Sequence, residues 1–421
     1  MTSQALLVNP SKQKQDAATG LVKRSTQGSR LPFWIVTATI GLALAASGAP
    51  SPLYVDYQQR WHFSSTTLTT IYAMYAGGVI ITLLLAGGLS DRIGRRRVLL
   101  GSVSALIGSL VIFLFANDTG WLFLARGVQG LATGVFTGAA AAALTELHPR
   151  RDARAAGLVN SASTSTGIAL GAVGSGALAQ WAPLPLRIPY VLLIVLALLL
   201  LAAIALKVPE TVPNASTAGG LGRLLRPQRL GVAPGVRGAF VIGSLGVLAS
   251  WSVGGLYLSL GGSLAKELLH VNNHLIAGLV ILTVQGVGGV SQLAFTSRTN
   301  RANAVIGFLS LITGMGVVSL SLSLSSPVLF LCGDLITGVG FGLAFMSGTR
   351  RVTEAAPADK RGEVLAAYFV VAYLAISVPV IAVGMVSAHI GLAHTFYIFA
   401  AIMSMVAVVA LIGTLLYRPK I

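Results

Sequence analysis

The stretch at residues 87–99, GGLSDRIGRRRVL, lies between two long apolar segments and decides how the chain must fold. Within a turn too short to form a domain, it carries one carboxylate and four arginines, which are Asp91, Arg92, Arg95, Arg96 and Arg97. Such a concentration of charge cannot enter the hydrocarbon of a bilayer, so the loop must lie at a membrane face. Short Arg-rich loops are typical of the cytoplasmic face, which predicts that this loop is cytoplasmic.

The composition predicts an all-α polytopic membrane protein. Of the 421 residues, 54% are hydrophobic and only 10% are charged, and the mean hydropathy is +0.81. A spanning helix needs about 20 apolar residues. The sequence has room for twelve, which we place at 33–54, 67–90, 98–116, 121–146, 155–180, 188–207, 237–260, 274–296, 303–324, 327–349, 362–387 and 394–417.

The lysines and arginines predict the topology. On this helix map, 25 of the 29 cations lie in alternate loops or at the termini, one lies within a helix, and three lie on the other side, namely Arg60, Arg187 and Lys266. Both termini are therefore expected in the cytoplasm. The net charge of +17 is a topology signal and does not indicate a nucleic-acid partner. We expect a multi-pass protein of the cytoplasmic (inner) membrane of a bacterium.

Two polar segments divide the chain. Residues 1–31 show no cleavage site after an apolar core, which predicts a disordered cytoplasmic tail and an uncleaved first helix. Residues 209–236 are rich in Pro, Gly, Asn, Ser and Thr, which is typical of a linker. The linker separates predicted bundles at 32–208 and 237–421. Cys332 is the only cysteine, so no disulfide is expected within the chain.

An internal repeat relates the two bundles at an offset of about 208 positions. The matching features are Thr145, Glu146 and Pro149 with Thr353, Glu354 and Pro357, and Gly130 and Gly134 with Gly338 and Gly342. At the same offset Arg126 matches Asp334, so each half places one charge of opposite sign on the glycine stripe of its fourth helix. Two six-helix halves in parallel orientation place a cavity between them near the midplane.

Three motifs resemble those of the major facilitator superfamily of transporters. The loop Gly87-x-Leu-Ser-Asp91-Arg-x-Gly94-Arg-Arg96 resembles the signature loop between helices two and three of that family. Arg126-x-x-Gln129-Gly130 resembles its helix-four motif. The fifth-helix glycines partly resemble a motif of drug/proton antiporters, although Ala172 replaces the proline and Ser175 one glycine. The resemblance covers nearly the whole chain from residue 32, and it implies the major facilitator fold of two pseudo-symmetric six-helix bundles.

The buried charges are the candidates for proton coupling. Desolvation and nearby cations act in opposite directions on a carboxylate, so the protonation of Asp334 can follow the hydration of the cavity. Arg126 cannot release a proton and would modulate Asp334 if both face one hydrated cavity. A structural buried pair that joins the halves is the alternative for both residues. Asp56, at the outer rim, is either a waiting point for protons or a hydrated loop carboxylate.

The charged loop predicts a gate. Alternating access needs contacts that exist in only one conformation, and charge-assisted pairs at helix ends supply them. The resemblance likewise implies that the loop acid and arginines lock the outward-facing state. The candidate gate residues are Gly87, Asp91, Arg92, Gly94, Arg95, Arg96 and Glu146, with Arg95 or Arg96 expected near Glu146.

Large polar and aromatic residues within the predicted helices are candidates for a substrate cavity, although aromatic residues in membrane helices more often face lipid or pack against neighbouring helices. They are Tyr72, Tyr75, Gln129, Trp251, Tyr257, Gln285, Tyr368 and Tyr373. No Walker loop, His-Glu-x-x-His or nucleophile elbow occurs in the sequence, so neither enzymatic activity nor a cofactor or metal is expected.

The sequence leaves three functions open. The first is efflux of small organic molecules or drugs in exchange for protons, by a monomer that contacts only substrate, protons and lipid. The second is proton symport that imports a metabolite, for which Arg126 would hold an anionic group. The third is a membrane sensor with a transporter-like body, although the cytoplasmic domain expected of such a sensor is not evident in the sequence.

Overall fold

The structure, a computed structural model, describes residues 30–212, 230–269, 273–357 and 360–417. These residues form fourteen α-helices and no strand. In chain order the helices are α1 (Leu31–Gly48), α2 (Tyr54–Trp61), α3 (Ser65–Ala86), α4 (Leu89–Ile93), α5 (Arg95–Leu114), α6 (Thr119–Leu147), α7 (Ala153–Trp181), α8 (Ile188–Lys207), α9 (Arg237–Leu269), α10 (His274–Ala294), α11 (Asn300–Ser323), α12 (Pro327–Ala355), α13 (Arg361–Ile390) and α14 (Leu392–Leu416).

Twelve of these described helices have 18 residues or more, and each overlaps one predicted span. Eleven of the twelve are also apolar enough to cross a membrane. The remaining one, α7, is less apolar because glycines, serines and threonines make up much of its length. We call the helices α1–α8 the first half of the chain and the helices α9–α14 the second half.

Three predicted limits are wrong by six residues or more, and one of them is the end of the tenth span, which lies at Ala355 instead of residue 349. The first span ends at Gly48 instead of residue 54, because Pro50 and Pro52 have no backbone donor with which to continue it. The chain then forms the short helix α2, so Asp56 is a helical residue and not part of a loop. The seventh span continues to Leu269 instead of residue 260. The predicted tail and most of the predicted linker lie outside the described residues.

The glycines of the repeat allow close packing at equivalent places in the two halves. Gly130 of α6 faces the backbone of Tyr75 in α3, and no Cβ fits between them. Gly338 of α12 faces α10, where an added Cβ would lie 2.9 Å from the Thr283 carbonyl oxygen. Small residues let membrane helices approach closely, and here they set the position of the fourth long helix in each half.

The halves contact each other mainly through two helix pairs, α3 with α13 and α7 with α10. The 87–99 loop defines what we call the basic end of the molecule. Residues 30–34, 146–152, 208–212 and 295–299 lie at the same end, as the contact between the rings of Phe33 and His148 illustrates. The other end, which carries α2 and the first turn of α10, is called the opposite end.

Candidate functional site

Arg126 is held entirely by neutral groups of the first half. Its side chain is fully buried. Nε donates a hydrogen bond to the Tyr54 hydroxyl at 2.6 Å, and Nη1 donates to the Ser47 carbonyl at 3.0 Å and to Gln129 Oε1 at 2.6 Å. Gln129 in turn donates to the Ala46 carbonyl at 2.9 Å. Within the described residues, Nη2 has no hydrogen-bond partner. This edge of the guanidinium therefore keeps unused N–H donors.

Aromatic rings surround the same guanidinium. Its central carbon lies between 5.4 and 5.8 Å from the ring centres of Tyr54, Tyr72, Tyr75 and Phe113. The negative face of an aromatic ring attracts a cation, and the attraction is larger where water is excluded. Two predicted cavity residues, Tyr72 and Tyr75, therefore stabilise the buried charge of Arg126.

Asp334 has a simpler environment in the second half. It is fully buried, and Oδ1 accepts a hydrogen bond from the Tyr257 hydroxyl of α9 at 2.5 Å. Oδ2 has no hydrogen-bond partner among the described residues, and no described cation forms an ion pair with the carboxylate. A buried carboxylate with one donor and no cation is poorly compensated for the loss of water.

The structure does not bring Arg126 and Asp334 together. Each is the eighth residue of a helix of 29 residues, α6 or α12, which agrees with the repeat. Yet the hydrogen bonds of Arg126 stay within the first half, and the bond of Asp334 stays within the second. Both groups are shielded from water in this conformation, so a hydrated cavity shared by the two charges would require a different arrangement of the halves.

An apolar cluster joins the halves near the middle of the molecule. It contains Tyr72 of α3, Ala172 of α7, Leu258 of α9 and Ile281 of α10. Ile168 and Ile376 pack against this cluster. Since its members come from both halves, the cluster separates only when the halves move apart.

The other predicted cavity residues occupy different surroundings in the second half. The half-buried Trp251 places its ring 5.2 Å from Phe345 and 5.3 Å from Tyr373, and its buried Nε1 has no described hydrogen-bond partner. Gln285 is buried in α10. Tyr368, by contrast, packs beside Phe240 at the centre of an apolar cluster, and its hydroxyl accepts a hydrogen bond from Thr349 at 3.4 Å.

A network of charges occupies the basic end. Arg95 forms an ion pair with Asp91, and its Nη2 lies 3.3 Å from Glu146 Oε1. The side chain of Arg95 is only 12% exposed, whereas that of Asp91 is 63% exposed. Arg95 is thus the central cation of the network, and it links the loop to the end of α6.

The network extends to two residues that the sequence analysis missed, Glu210 and Thr211. Glu210 Oε1 accepts a hydrogen bond from the backbone N–H of Arg95 at 2.7 Å, and the Thr211 hydroxyl donates to Glu146. Glu210 is the only acid between residues 209 and 236, which is the signal that would have identified it.

Gly94 makes room for that carboxylate. Its φ of +105° and ψ of +143° lie in a region that is essentially restricted to glycine. A Cβ at Gly94 would also occupy the position of the Glu210 carboxylate. Gly94 thus has both a conformational and a packing reason to be glycine.

The remaining gate candidates lie around this network. Arg96 does not reach Glu146, because its Nη2 donates to the carbonyl of Ala205 near the end of α8. Gly87 directly follows α3, and Arg92 is exposed in α4.

A second set of polar contacts joins the halves at the opposite end. His274 Nε2 lies 2.7 Å from Asp56 Oδ1, and its Nδ1 lies 3.3 Å from Gln180 Oε1. The backbone N–H of His274 also donates to Gln180 Oε1 at 3.0 Å. Because two oxygen acceptors face the ring, the imidazole donates to both only when it is protonated. Nearby, the Thr66 hydroxyl donates to the Gly384 carbonyl at 3.0 Å.

Comparison with known proteins agrees with this architecture. The family model described as "Major Facilitator Superfamily" matches residues 34–380. The chain is 24% identical over 170 residues to Multidrug resistance protein 2 of Bacillus subtilis, which is 40% of this chain and 42% of that protein. It is 35% identical over 94 residues to the gentisate transporter of Corynebacterium glutamicum, which is 22% of this chain and 21% of that protein.

Solved structures similar to this chain support its fold and nothing more, because their sequence identities to it are low. The crystal structure of the human organic anion transporter MFSD10 (TETRAN) superposes with a TM-score of 0.64 at 17% identity, over 90% of this chain and 99% of that chain. Among the curated relatives, the matched segments cover only 18% to 42% of their lengths.

Proposed function

Because this chain belongs to the Major Facilitator Superfamily, whose members are membrane transporters and not enzymes, we propose that it exports small organic molecules in exchange for protons. It would do so by alternating access, as a monomer in the cytoplasmic (inner) membrane of a bacterium. Its basic end and both termini would face the cytoplasm, because short loops rich in Lys and Arg stay on that side. The coarser function, transport of a small molecule across a lipid bilayer by a multi-pass protein, follows from the family.

The environment of Asp334 is the single observation that carries the proton-coupling proposal. Ionisable groups inside membrane segments are rare and mark ion or substrate pathways. Asp334 has one hydrogen-bond donor, Tyr257, and no cationic partner among the described residues. Arg126 is by contrast already stabilised by four rings and three hydrogen bonds. Asp334 is therefore the proposed proton carrier, and Arg126 is the proposed modulator on the facing half.

The two polar networks fit the roles of opposing gates. The contacts between Asp56, His274 and Gln180 bridge the halves, so they break when the opposite end opens. The Arg95 network lies within the first half and holds the charged loop against α6 and the linker. In this proposal the described conformation has its outer gate closed, and the exposed Asp91 becomes buried against the second half when the cytoplasmic side closes.

A second candidate function is proton symport of an organic anion. The unused Nη2 donor of Arg126 favours it, because a buried N–H of a cation attracts an anionic group. The relatives include a gentisate transporter and the structural neighbours an organic anion transporter. A sensor with a transporter-like body is a third class, and no observation on the described residues favours it.

Flux measurements in liposomes distinguish these functions. Purified protein is reconstituted with a pH-sensitive dye inside acidic vesicles, and either ethidium, an organic cation, or gentisate, an organic anion, is added outside. An antiporter accumulates its substrate while the lumen loses protons. A symporter moves substrate and protons in the same direction, so its uptake requires the opposite pH gradient.

Proton movement opposite to the substrate identifies an antiporter, and proton movement in the same direction identifies a symporter, provided that the substrate binds. Binding is established first by a thermal-shift screen of a substrate library. A substrate that binds and moves only down its own gradient, with no proton movement, would reject proton coupling altogether. A ligand that binds and shifts the melting temperature but is never transported would favour the sensor.

A further inference from the structure

A groove on the first half is open to the surroundings between α7 and α8, with α1 as its floor. Its volume is about 810 Å³. The floor is made of small residues such as Ala38, Gly41 and Ala45, and the walls carry leucines that include Leu170 and Leu196. Leu170 is 61% exposed and Leu196 is 41% exposed. All of these residues lie in helices long enough to cross a membrane, so hydrocarbon surrounds the groove.

The groove is longer than one leaflet of a bilayer. Its lining extends along α1 from Thr37 to Ala49, along α7 from Ala162 to Leu178 and along α8 from Pro189 to Leu200. At about 1.5 Å per residue these stretches measure roughly 17 to 24 Å. Half of the hydrocarbon core of a bilayer is about 15 Å thick. Because Ala49 and Pro189 both lie at the opposite end of the molecule, the groove starts at that membrane surface and has room for an acyl chain that crosses the leaflet on that side.

Two residues at the opposite end lie next to the lining in sequence, and we call them the mouth of the groove. Arg187 lies two positions before Pro189, is exposed, and has no ion-pair partner among the described residues. Trp181, the last residue of α7, is 71% exposed. Tryptophan is enriched where membrane meets water, and a cation at that depth attracts the phosphate of a lipid headgroup.

We propose that this groove is a binding site for an anionic phospholipid of the leaflet at the opposite end. One acyl chain lies along the floor formed by α1, and the headgroup phosphate contacts Arg187. The small residues of the floor supply depth, and the leucines of α7 and α8 supply apolar contact. The bound lipid fills the gap between α7 and α8, so it stabilises the first half during transport. The proposal does not depend on the coupling ion or on the direction of transport.

Gly174 offers a direct way to fill the groove. It lines the groove, and a Cβ built on it would meet no other atom within 4 Å, so a side chain there begins in open space. Gly108 of α5 also has open space around its Cβ position and does not line the groove. The variants Gly174→Leu and Gly108→Leu therefore form a matched pair, and Arg187→Gln removes only the charge at the mouth.

Photolabelling by lipids tests the site. The full chain is reconstituted in liposomes that contain phosphatidylglycerol or phosphatidylcholine with a photoreactive group in the acyl chain, and labelled peptides are identified by mass spectrometry. We expect labels on α7 and α8 in the unmodified protein and in Gly108→Leu. Gly174→Leu should lower labelling by both lipids about tenfold, because contact with about two methylenes is lost. Arg187→Gln should lower the preference for phosphatidylglycerol about fivefold.

Equal labelling of Gly174→Leu and Gly108→Leu would overturn the proposal. An unchanged lipid preference in Arg187→Gln would overturn it as well, and this test does not depend on whether Gly174→Leu folds. Native mass spectrometry of the same samples tests whether the protein forms a dimer through the groove. A dimer that Gly174→Leu abolishes would mean that a second copy of the chain, and not lipid, fills the groove.

Discussion

Tyr257 donates a hydrogen bond to Oδ1 of Asp334 at 2.5 Å, from α9 to α12. This bond is the only described interaction of the Asp334 carboxylate, and the bond and the carboxylate are both buried in the second half. Tyr257 is therefore a positioning residue for the proposed proton carrier, and its removal changes the environment of Asp334 without changing its charge.

We expect Tyr257→Phe to slow proton-coupled flux at least about tenfold, because a hydrogen bond to a charged group contributes about 1.5–3 kcal/mol. The dye-loaded liposomes measure this rate directly. Tyr190→Phe is the matched control, since Tyr190 is a fully buried tyrosine of the first half whose hydroxyl accepts from Tyr57 at 3.3 Å. Equal flux in both variants would remove Tyr257 from the mechanism.

The gate at the basic end gives a second prediction. Arg95→Ala with Arg96→Ala should reduce turnover about threefold or more while substrate affinity stays unchanged, because partly buried charge pairs affect the balance of the conformations and not the binding site. Turnover and affinity are measured separately by flux and by equilibrium binding. Arg97→Ala serves as the control, since this exposed arginine donates one hydrogen bond among the described residues, to the carbonyl of Ile93. Weaker binding with unchanged turnover would contradict the gate.

Gly94 gives a prediction about stability. Gly94→Ala should lower the free energy of unfolding by about 1–3 kcal/mol, because alanine disfavours this backbone conformation and its Cβ displaces Glu210. Gly101→Ala should not lower it, since Gly101 is helical and its Cβ position is open. Thermal melting in detergent compares the two variants. A Gly94→Ala protein as stable as Gly101→Ala would show that the Glu210 contact is dispensable.

The Asp56–His274 pair gives a prediction about pH. Its charged form needs a protonated imidazole, and histidine changes its charge between about pH 5 and pH 8. The charged groups that act on the ring are Asp56 and Lys266. We expect the closed opposite end to be more populated at about pH 5.5 than at about pH 8.5. Spin labels at Gln59→Cys and His394→Cys, in a Cys332→Ser background, measure the separation.

Asp56→Asn should abolish most of this pH dependence, because the ring then loses its charged partner. His389→Gln should not change it, since His389 is an exposed histidine whose hydrogen bond within the described part of the chain is to the carbonyl of Met385, on its own helix. A pH dependence that survives in Asp56→Asn would assign the effect to another group.

Local signals in the sequence were sufficient to predict most of the fold. The charged loop and the glycine spacing each involve residues a few positions apart, and each apolar span is continuous along the chain, so all three signals can be read from neighbouring residues. The burial of Arg126 can also be predicted from its position in the sequence. A charged side chain inside a membrane segment is costly, so it needs partners within the protein. The end of the first span at Gly48 also has a local cause, because Pro50 and Pro52 remove backbone donors from the last turn.

The partners within the networks could not be predicted in the same way. Glu210 lies 115 residues from Arg95, and His274 lies 218 residues from Asp56. Such pairs depend on how the helices assemble, and an exposed acid or histidine has no local pattern that distinguishes it from an ordinary polar residue. For the same reason, the sequence did not show that Arg126 and Asp334 lie apart. The repeat predicted their equivalent positions, but only the packing shows that each is enclosed within its own half.

Flux through Asp334→Asn in liposomes is the most direct test of the proposed coupling. We expect this variant to lose all accumulation driven by a pH gradient, while exchange of labelled for unlabelled substrate continues, because asparagine cannot carry a proton but leaves the halves free to move. Asp118→Asn is the control, since Asp118 caps the start of α6. Proton-coupled accumulation at the unmodified rate in Asp334→Asn would contradict the account.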